Sequence, residues 1–432
     1  MNLPINGRIA IIDDQFKQAE PLIQVLSQKQ LPHTYFSGEV KFLPNEGDNL
    51  NDIRVLFLDI NLIDDGEHNN TVLKGRLVPV LNRIISVENY PYVIIYWSRH
   101  EEHKNLIEEE IFNDEKVLKH KKPIGYLSAT KSDFFNLDGT KTDDFNQQIN
   151  ALFNKINGLI QTFSAYSYLL NWENQVHKAT DRTLQDIFSS THTLPNWSDN
   201  ANFLINKLGK SFSGNAFDGQ KPEQKIKSSY NTLNYVLNDT IEYGINTNGI
   251  DNAQELTHLT SNSDTIFTIN EKLLFSNQIE PIEYSGTILE CKSSKYDSEY
   301  EPFLSTSVLK KQNNREKIKD SWNKIWFNVT PLCDTVQGKV VFHRLVRGVI
   351  VESKFADSFH QNEAIFITPP FKNDKLNVCI VIDFRHFFCL KSIKLSKNLK
   401  PLFRARQQLL AEVQSKLARH ISRQGILFLD ER

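Results

Sequence analysis

Cysteine is scarce in this chain of 432 residues: Cys291, Cys333, Cys379 and Cys389 are its only four, and no two stand as CxxC. That spacing signals neither a disulfide framework nor a zinc knuckle and points to reduced, mostly buried thiols. No apolar run approaches the roughly 18–20 residues of a membrane span. The opening Met1-Asn2-Leu3-Pro4 lacks a basic stretch leading into an apolar one, so the expectation is a cytoplasmic protein without a membrane segment. Neither sign of charge dominates. The formal net charge of −2 argues against a chain that coats nucleic acid or lipid along its whole length. The phosphate loop GxxxxGK[ST], the zinc motif HExxH and the nucleophile elbow GxSxG are all missing, so no attached catalytic domain is signalled and none is expected. No tight glycine turn between short helices marks a helix-turn-helix module.

The length suggests two or three domains. Up to about residue 140, strand-like and helix-like patterns alternate, as in an open parallel sheet covered on both faces. Arg8–Ile12, His33–Phe36, Val55–Leu58, Tyr92–Tyr96 and Ile124–Ser128 read as strands; Ala19–Leu26, Leu73–Ile85 and His103–Ile111 read as helices. This pattern predicts a flavodoxin-like (βα)5 unit of the α/β class over residues 1–140. Residues 141–280 read as a helical domain or linker. Its main element is one long helix with an apolar stripe from Phe145 through Phe163 and on to Ile187, a stripe of the kind that pairs in dimers. Further helices are expected at Asn200–Leu208, Glu223–Tyr243 and Asp264–Leu274. Residues 281–432 read as a small β-rich (α+β) domain, with strands at Ile325–Val329, Lys339–Phe342, Val346–Val351, Ala364–Ile367 and Val378–Ile382. A final basic helix is expected from Pro401 to about Ile421, with Gly425 as its stop.

Chemistry concentrates at the strand ends of the first region. Asp13 and Asp14 close the first strand and Asp59 closes the third. Carboxylates gathered at the carboxyl edge of a parallel sheet suit Mg²⁺, which takes oxygen ligands, and one of them can remain available as a nucleophile. Contact with phosphoryl oxygens needs a hydroxyl, supplied by Ser98 at the end of the fourth strand, and a lysine. Two lysines flank the fifth strand: Lys131 at its carboxyl end and Lys122 before it.

In these residues the first ~135 positions resemble the receiver domain of bacterial two-component response regulators. The resemblance implies that Asp13 and Asp14 hold Mg²⁺ with Asp59 and the backbone carbonyl of Asn61. It also implies that Asp59 accepts phosphate from a sensor histidine kinase, and that Ser98 and Lys131 contact the phosphoryl group. Asn61 and His100 stand where such domains set the lifetime of the acyl phosphate. The chain departs from the pattern at Ile63, usually proline, at Arg99, usually small, and at Tyr126, an aromatic five rather than three residues before the lysine. A pseudoreceiver, with the fold but no chemistry, is the bland alternative. Trp97-Ser98-Arg99-His100, a Thr-Pro-Leu-Cys-Asp segment at residues 330–334 and the Arg-rich end together resemble the receiver proteins of Detocs-type anti-phage phosphorelays. That resemblance implies a phosphate sink acting beside an effector receiver protein of the same system.

Two features fall outside this reading. Cys333 and Asp334, with His343 nearby in sequence, suggest a nucleophile with an orienting acid, or simply a buried thiol beside a turn residue. From Lys391 to Gly425, nine basic residues (Lys391, Lys394, Lys397, Lys400, Arg404, Arg406, Lys416, Arg419 and Arg423) face one acid, Glu412. This is either a solvated face or a surface for nucleic acid or an acidic partner. The second option would make the chain a phosphorylation-controlled adaptor.

Overall fold

The computed structural model describes residues 8–45, 47–63, 68–99, 103–114, 116, 118–136, 140–189, 196–245, 263–279, 281–393 and 399–422. The described residues form two compact units, one within Met1–His192 and Val236–Leu256, the other within Thr193–Tyr235 and Thr257–Arg432.

The first unit is α/β. Its sheet joins β1 (Ile9–Ile12), β2 (His33–Phe36), β3 (Val55–Leu58), β4 (Val93–Ser98) and β5 (Gly125–Thr130), all parallel, in the order 2-1-3-4-5. The accompanying helices are α1 (Phe16–Gln28), α2 (Asn70–Ile84), a π-helical stretch Leu106–Ile111 running into α3 (Phe112–Asp114), α4 (Phe145–Thr162) and α5 (Ser164–Phe188). Side chains alternate across a strand, and both faces are covered at the centre of the sheet, so β1, β3 and β4 read as apolar runs, while the edge strands β2 and β5 carry polar residues. Ile9, Ile11, Val55, Phe57, Val93, Ile95 and Trp97 pack with α1 and α4. Ala10, Ile12, Leu56, Leu58, Ile94 and Tyr96 pack with α2 and the Leu106–Phe112 segment.

Two expectations fail in this unit. Among the described residues no α-helix links β2 to β3; the connection holds only a 3₁₀ turn at Val40–Phe42, whose Val40 and Phe42 are exposed. The repeat is therefore not a full (βα)5, because that segment has no apolar stripe to lay on the sheet. The single long helix breaks at Phe163, whose backbone leaves the helical region at ψ 78°. The Phe163 ring lies over Gly125, where a Cβ would come within 2.7 Å of the ring. The stripe Phe145, Ile149, Leu152, Phe153, Ile156 and Ile160 is buried in the unit's own core and offers nothing to a second copy.

Helix α5 is pinned to the opposite, amino edge of the sheet. The Tyr166 hydroxyl donates to the carbonyl of Arg54 at 2.5 Å, and the Glu173 carboxylate pairs with Arg8 and Arg54, each at 2.9 Å.

The second unit is built on an antiparallel sheet. It contains α6 (Trp197–Ser213), the part of α7 (Pro222–Gly244) up to Tyr235, and α8 (Ser263–Leu274). β6 (Phe275–Ser276), β7 (Thr287–Cys291), α9 (Asp297–Tyr300), α10 (Arg315–Ser321), β8 (Asn323–Asn328), α11 (Leu332–Val336) and β9 (His343–Glu352) follow. β10 (Ile365–Ile367), β11 (Phe371–Asn373), β12 (Leu376–Leu390), β13 (Leu399–Ala405) and α12 (Gln407–Ile421) complete it. The strand order is 10-12-9-8-7-13-6, with β11 also paired to β12. One face packs beneath α12 through Leu409, Leu410, Val413 and Leu417; the other covers Tyr300, Phe303, Leu304 and Ile318.

Residues 141–280 thus divide between the two units rather than standing as a domain of their own, since α4 completes the first core. Residues 339–342 are not a strand; they lead into β9, with Val341 and Phe342 exposed. Pro401 does not open a helix. It sits in β13 at a register shift before Phe403, one of the few strand positions where a residue without an N–H is tolerated. Gly425 lies outside the described residues. Among the described residues no helix is long and apolar enough to cross a membrane.

Burial works to raise the Glu173 carboxyl, but the hydrogen bonds and charge of Arg54, then Arg8, overcome it and hold the group below its ordinary value. Replacing Glu173 by alanine leaves two arginines facing each other, so urea unfolding at pH 7 should show a loss of about 2–4 kcal/mol. A depressed carboxylate stabilises above its unfolded pKa of about 4.3 and ceases to as pH falls through the lower folded value. The gap between wild type and Glu173→Ala should therefore close as pH drops below about 4, and urea titrations across that range measure it.

Candidate functional site

The parallel register sets the strand ends level. Ile12 pairs with Leu58, and Leu58 with Tyr96, so Asp13 and Asp59 emerge side by side as the first residues beyond β1 and β3. Backbone bonds hold both in place: the Asp13 N–H donates to the Phe36 carbonyl at 3.0 Å and the Asp59 N–H to the Ile12 carbonyl at 2.8 Å. β4 runs two residues further and ends on Ser98, which pairs with Thr130; Lys131 follows directly.

Lys131 and the two acids close on one another. Its ammonium lies 2.5 Å from Asp59 Oδ2 and 2.8 Å from Asp13 Oδ2, with Lys131 1% and Asp13 0% exposed. Asp59, Asn61 and Ser98 are also buried, while Asp14 is half-buried. The remaining oxygens of the acids are used locally: Asp13 Oδ1 accepts from the Gln15 N–H at 2.9 Å and Asp59 Oδ1 from the Asn61 N–H at 3.1 Å. Burial raises the Asp13 carboxyl to about 7; the Lys131 charge opposes this, and the Asp59 charge adds to it. Burial works to lower the Lys131 ammonium, but Asp59 and Asp13 prevail and hold it above its ordinary value.

The donor set fits a hard divalent cation. Asp13, Asp14 and Asp59 each offer a carboxylate oxygen, all within 4.8 Å of one another. Asp13 Oδ2 is buried and accepts no well-aligned hydrogen bond, so its contact with Lys131 is an ion pair that leaves lone-pair capacity. Three acids against one lysine leave negative charge that a cation would neutralise. Mg²⁺ would be held by Asp13, Asp14 and Asp59, with Asn61 beside them.

Lys122 is not in this cluster. It is exposed and donates to Asn113 Oδ1 at 2.9 Å. Arg99 follows Ser98 but sends its guanidinium to the Asn136 carbonyl, 3.3 Å away, on the strand's Trp97 side. Tyr126 stacks on Tyr96 with centroids 5.6 Å apart, and the Tyr96 hydroxyl donates to Glu108 at 3.1 Å. Ile63 is partly exposed. His100 lies outside the described residues. Sequence reasoning missed Tyr35, whose hydroxyl donates to the Asp13 carbonyl at 2.6 Å. Its place on the strand next to β1 was the available signal, since Ile11 and Tyr35 are in register. Burial, with the Asp13 and Asp14 charges, raises that phenol to about 12.

The C-terminal candidates do not converge. Cys333 is exposed, with its thiol 3.7 Å from Asp334, whereas the buried His343 faces Glu283 at 3.8 Å; no hydrogen bond joins them. The basic run is partly spent within the fold. Arg404 stacks on Tyr284, Arg406 donates to the carbonyls of Lys272 and Phe275, and Lys416 lies over Phe366 and pairs with Glu412. Lys394, Lys397 and Arg423 lie outside the described residues.

The chain matches no model of a known protein family, no curated protein and no solved structure.

Mg²⁺ at ten times its dissociation constant should stabilise the protein by about 1.4 kcal/mol, a gain that Asp13→Asn removes; thermal melts with and without the ion measure both. Without the ion, Lys131→Met should cost about 3 kcal/mol in urea unfolding, because it leaves buried carboxylates facing each other.

Proposed function

We propose that the first unit is a receiver domain whose Asp59 accepts a phosphoryl group in the presence of Mg²⁺. The observation that carries this reading is the buried Lys131 ammonium in contact with both Asp59 and Asp13 at the carboxyl edge of a 2-1-3-4-5 parallel sheet. An Asp59 oxygen attacks phosphorus; the bond from phosphorus to the donor, an imidazole nitrogen of a kinase or the acyl oxygen of acetyl phosphate, breaks and the donor leaves with its electron pair. Lys131 is placed to move from carboxylate to phosphoryl oxygen, and the Ser98 hydroxyl to donate to another. When bound, Mg²⁺ supplies positive charge against the phosphoryl oxygens. Buried neighbours limit water at the acyl phosphate, and Asn61 borders it.

In the cell, this chain is proposed to draw phosphate from a sensor histidine kinase, as the non-enzymatic receiver of a Detocs-type anti-phage phosphorelay. Stray phosphorylation then reaches this chain rather than an effector receiver protein. The structural use of Arg404, Arg406 and Lys416 favours this sink over the nucleic-acid adaptor.

Intact mass after incubation with acetyl phosphate and Mg²⁺, or with a phosphorylated histidine kinase, should show one added phosphoryl group. Asp59→Asn should show none while unfolding as cooperatively as the wild type. Label retained in Asp59→Asn would move the acceptor elsewhere, and no label from any donor would leave a pseudoreceiver.

A further inference from the structure

Strand β2 grips the acidic loop at both backbone groups of Asp13. The Phe36 carbonyl accepts from the Asp13 N–H at 3.0 Å, and the Tyr35 hydroxyl donates to the Asp13 carbonyl at 2.6 Å. The first bond continues the sheet ladder; the second is made by a side chain. Tyr35 stands on the edge strand in register with Ile11, and its half-buried ring packs against the core on the α1 side. Phe16, the first residue of α1, meets that ring edge-on, with centroids 5.5 Å apart. β1 ends at Ile12 and α1 begins at Phe16, so the loop that carries two of the three acids is short and is held at one end by this aromatic pair.

The carbonyl that Tyr35 holds belongs to the peptide unit joining Asp13 to Asp14. A peptide unit is planar, so anchoring its oxygen fixes the rotation of the unit and with it the position of the Asp14 Cα. Asp13 has further holds of its own, through Oδ1 to the Gln15 N–H at 2.9 Å and Oδ2 to Lys131 at 2.8 Å. Asp14, the half-buried acid of the three, is carried by the unit that Tyr35 fixes. Cations differ in how much they ask of such placement. Mg²⁺ demands near-ideal octahedral geometry at about 2.0–2.1 Å, whereas Ca²⁺ accepts a flexible shell at about 2.3–2.6 Å. Groups that orient a metal's ligands without touching the metal typically alter its affinity by about 10–100-fold. We infer that Tyr35 is a positioning residue, which biases the acid site toward Mg²⁺ and against Ca²⁺ by holding the Asp13–Asp14 peptide unit in one orientation. The inference rests on the reading of Asp13, Asp14 and Asp59 as a divalent-cation site and adds to it the residue that sets its selectivity.

Tyr35→Phe removes the hydroxyl and keeps the ring and its contact with Phe16. Calorimetric titration of the full chain with MgCl₂ and, separately, with CaCl₂ should show Mg²⁺ binding weakened about tenfold in this variant, with Ca²⁺ binding weakened far less. Phe16→Ala, at a position 53% exposed, withdraws the ring that braces Tyr35 and should lower the same ratio of affinities by a smaller factor. Equal weakening of both ions by Tyr35→Phe would mark a loosened fold rather than a positioned ligand and would overturn the inference. So would a Tyr35→Phe chain that binds both ions as the wild type does. A wild type that binds neither ion would overturn the cation site itself, and the phosphoacceptor reading and this inference with it.

Discussion

A buried ammonium bridging two buried carboxylates organises the first unit. Taking any one of these charges out of water alone would cost several kcal/mol, and together they are tolerable only because the geometry is close. That closeness comes from the sheet. Parallel pairing without slippage brings the ends of β1 and β3 level, and the extra length of β4 and β5 carries Ser98 and Lys131 up to meet the acids. The apolar layers on both faces keep water from the strands beneath, which strengthens the pairing and raises the Asp13 carboxyl. The charged edge and the well-packed sheet are therefore one construction. Loosening the core would dilute the charge contrast on which the proposed chemistry depends.

The amino edge of the same sheet repeats the logic with the signs reversed. There Glu173 from α5 sits between Arg8 and Arg54, with the Tyr166 hydroxyl on a strand carbonyl. One edge gathers acids around a cation and is suited to binding; the other gathers cations around an acid and is suited to anchoring a helix. The second unit uses different means. Its antiparallel sheet is covered through apolar contact on both faces, and its thiols follow burial. Cys291 and Cys379 are packed inside, with burial pushing Cys379 up to about 12, while Cys333 and Cys389 stay at the surface.

Much of the first unit is legible in its amino-acid order. The central strands β1, β3 and β4 are readable because each is a short apolar run ended by a charged or turn residue, and the edge strands β2 and β5 by their β-branched and aromatic residues. The acids are readable because a carboxylate immediately after such a run has few places to go except the sheet edge. Less can be read where one residue type serves two structures. Pro401 suits a helix start and a strand irregularity equally, and only the pairing of β13 with β7 decides between them. The stripe from Phe145 to Ile187 keeps helical period across Phe163, so the break there has no periodic signature. Lys131 is favoured over Lys122 by its place at the carboxyl end of β5, but only the folded chain shows it in contact with the acids.

By itself, the sequence determined the alternation that makes a parallel sheet, the residues that stand at its carboxyl edge and the helical character of the middle third, because these follow from local period and residue type. Only the tertiary structure decided which lysine meets the acids, that α4 belongs to the first core and that Tyr35 of β2 reaches the Asp13 carbonyl. Each of these depends on which surfaces meet, and a linear pattern carries the chemistry of a face without naming what will cover it.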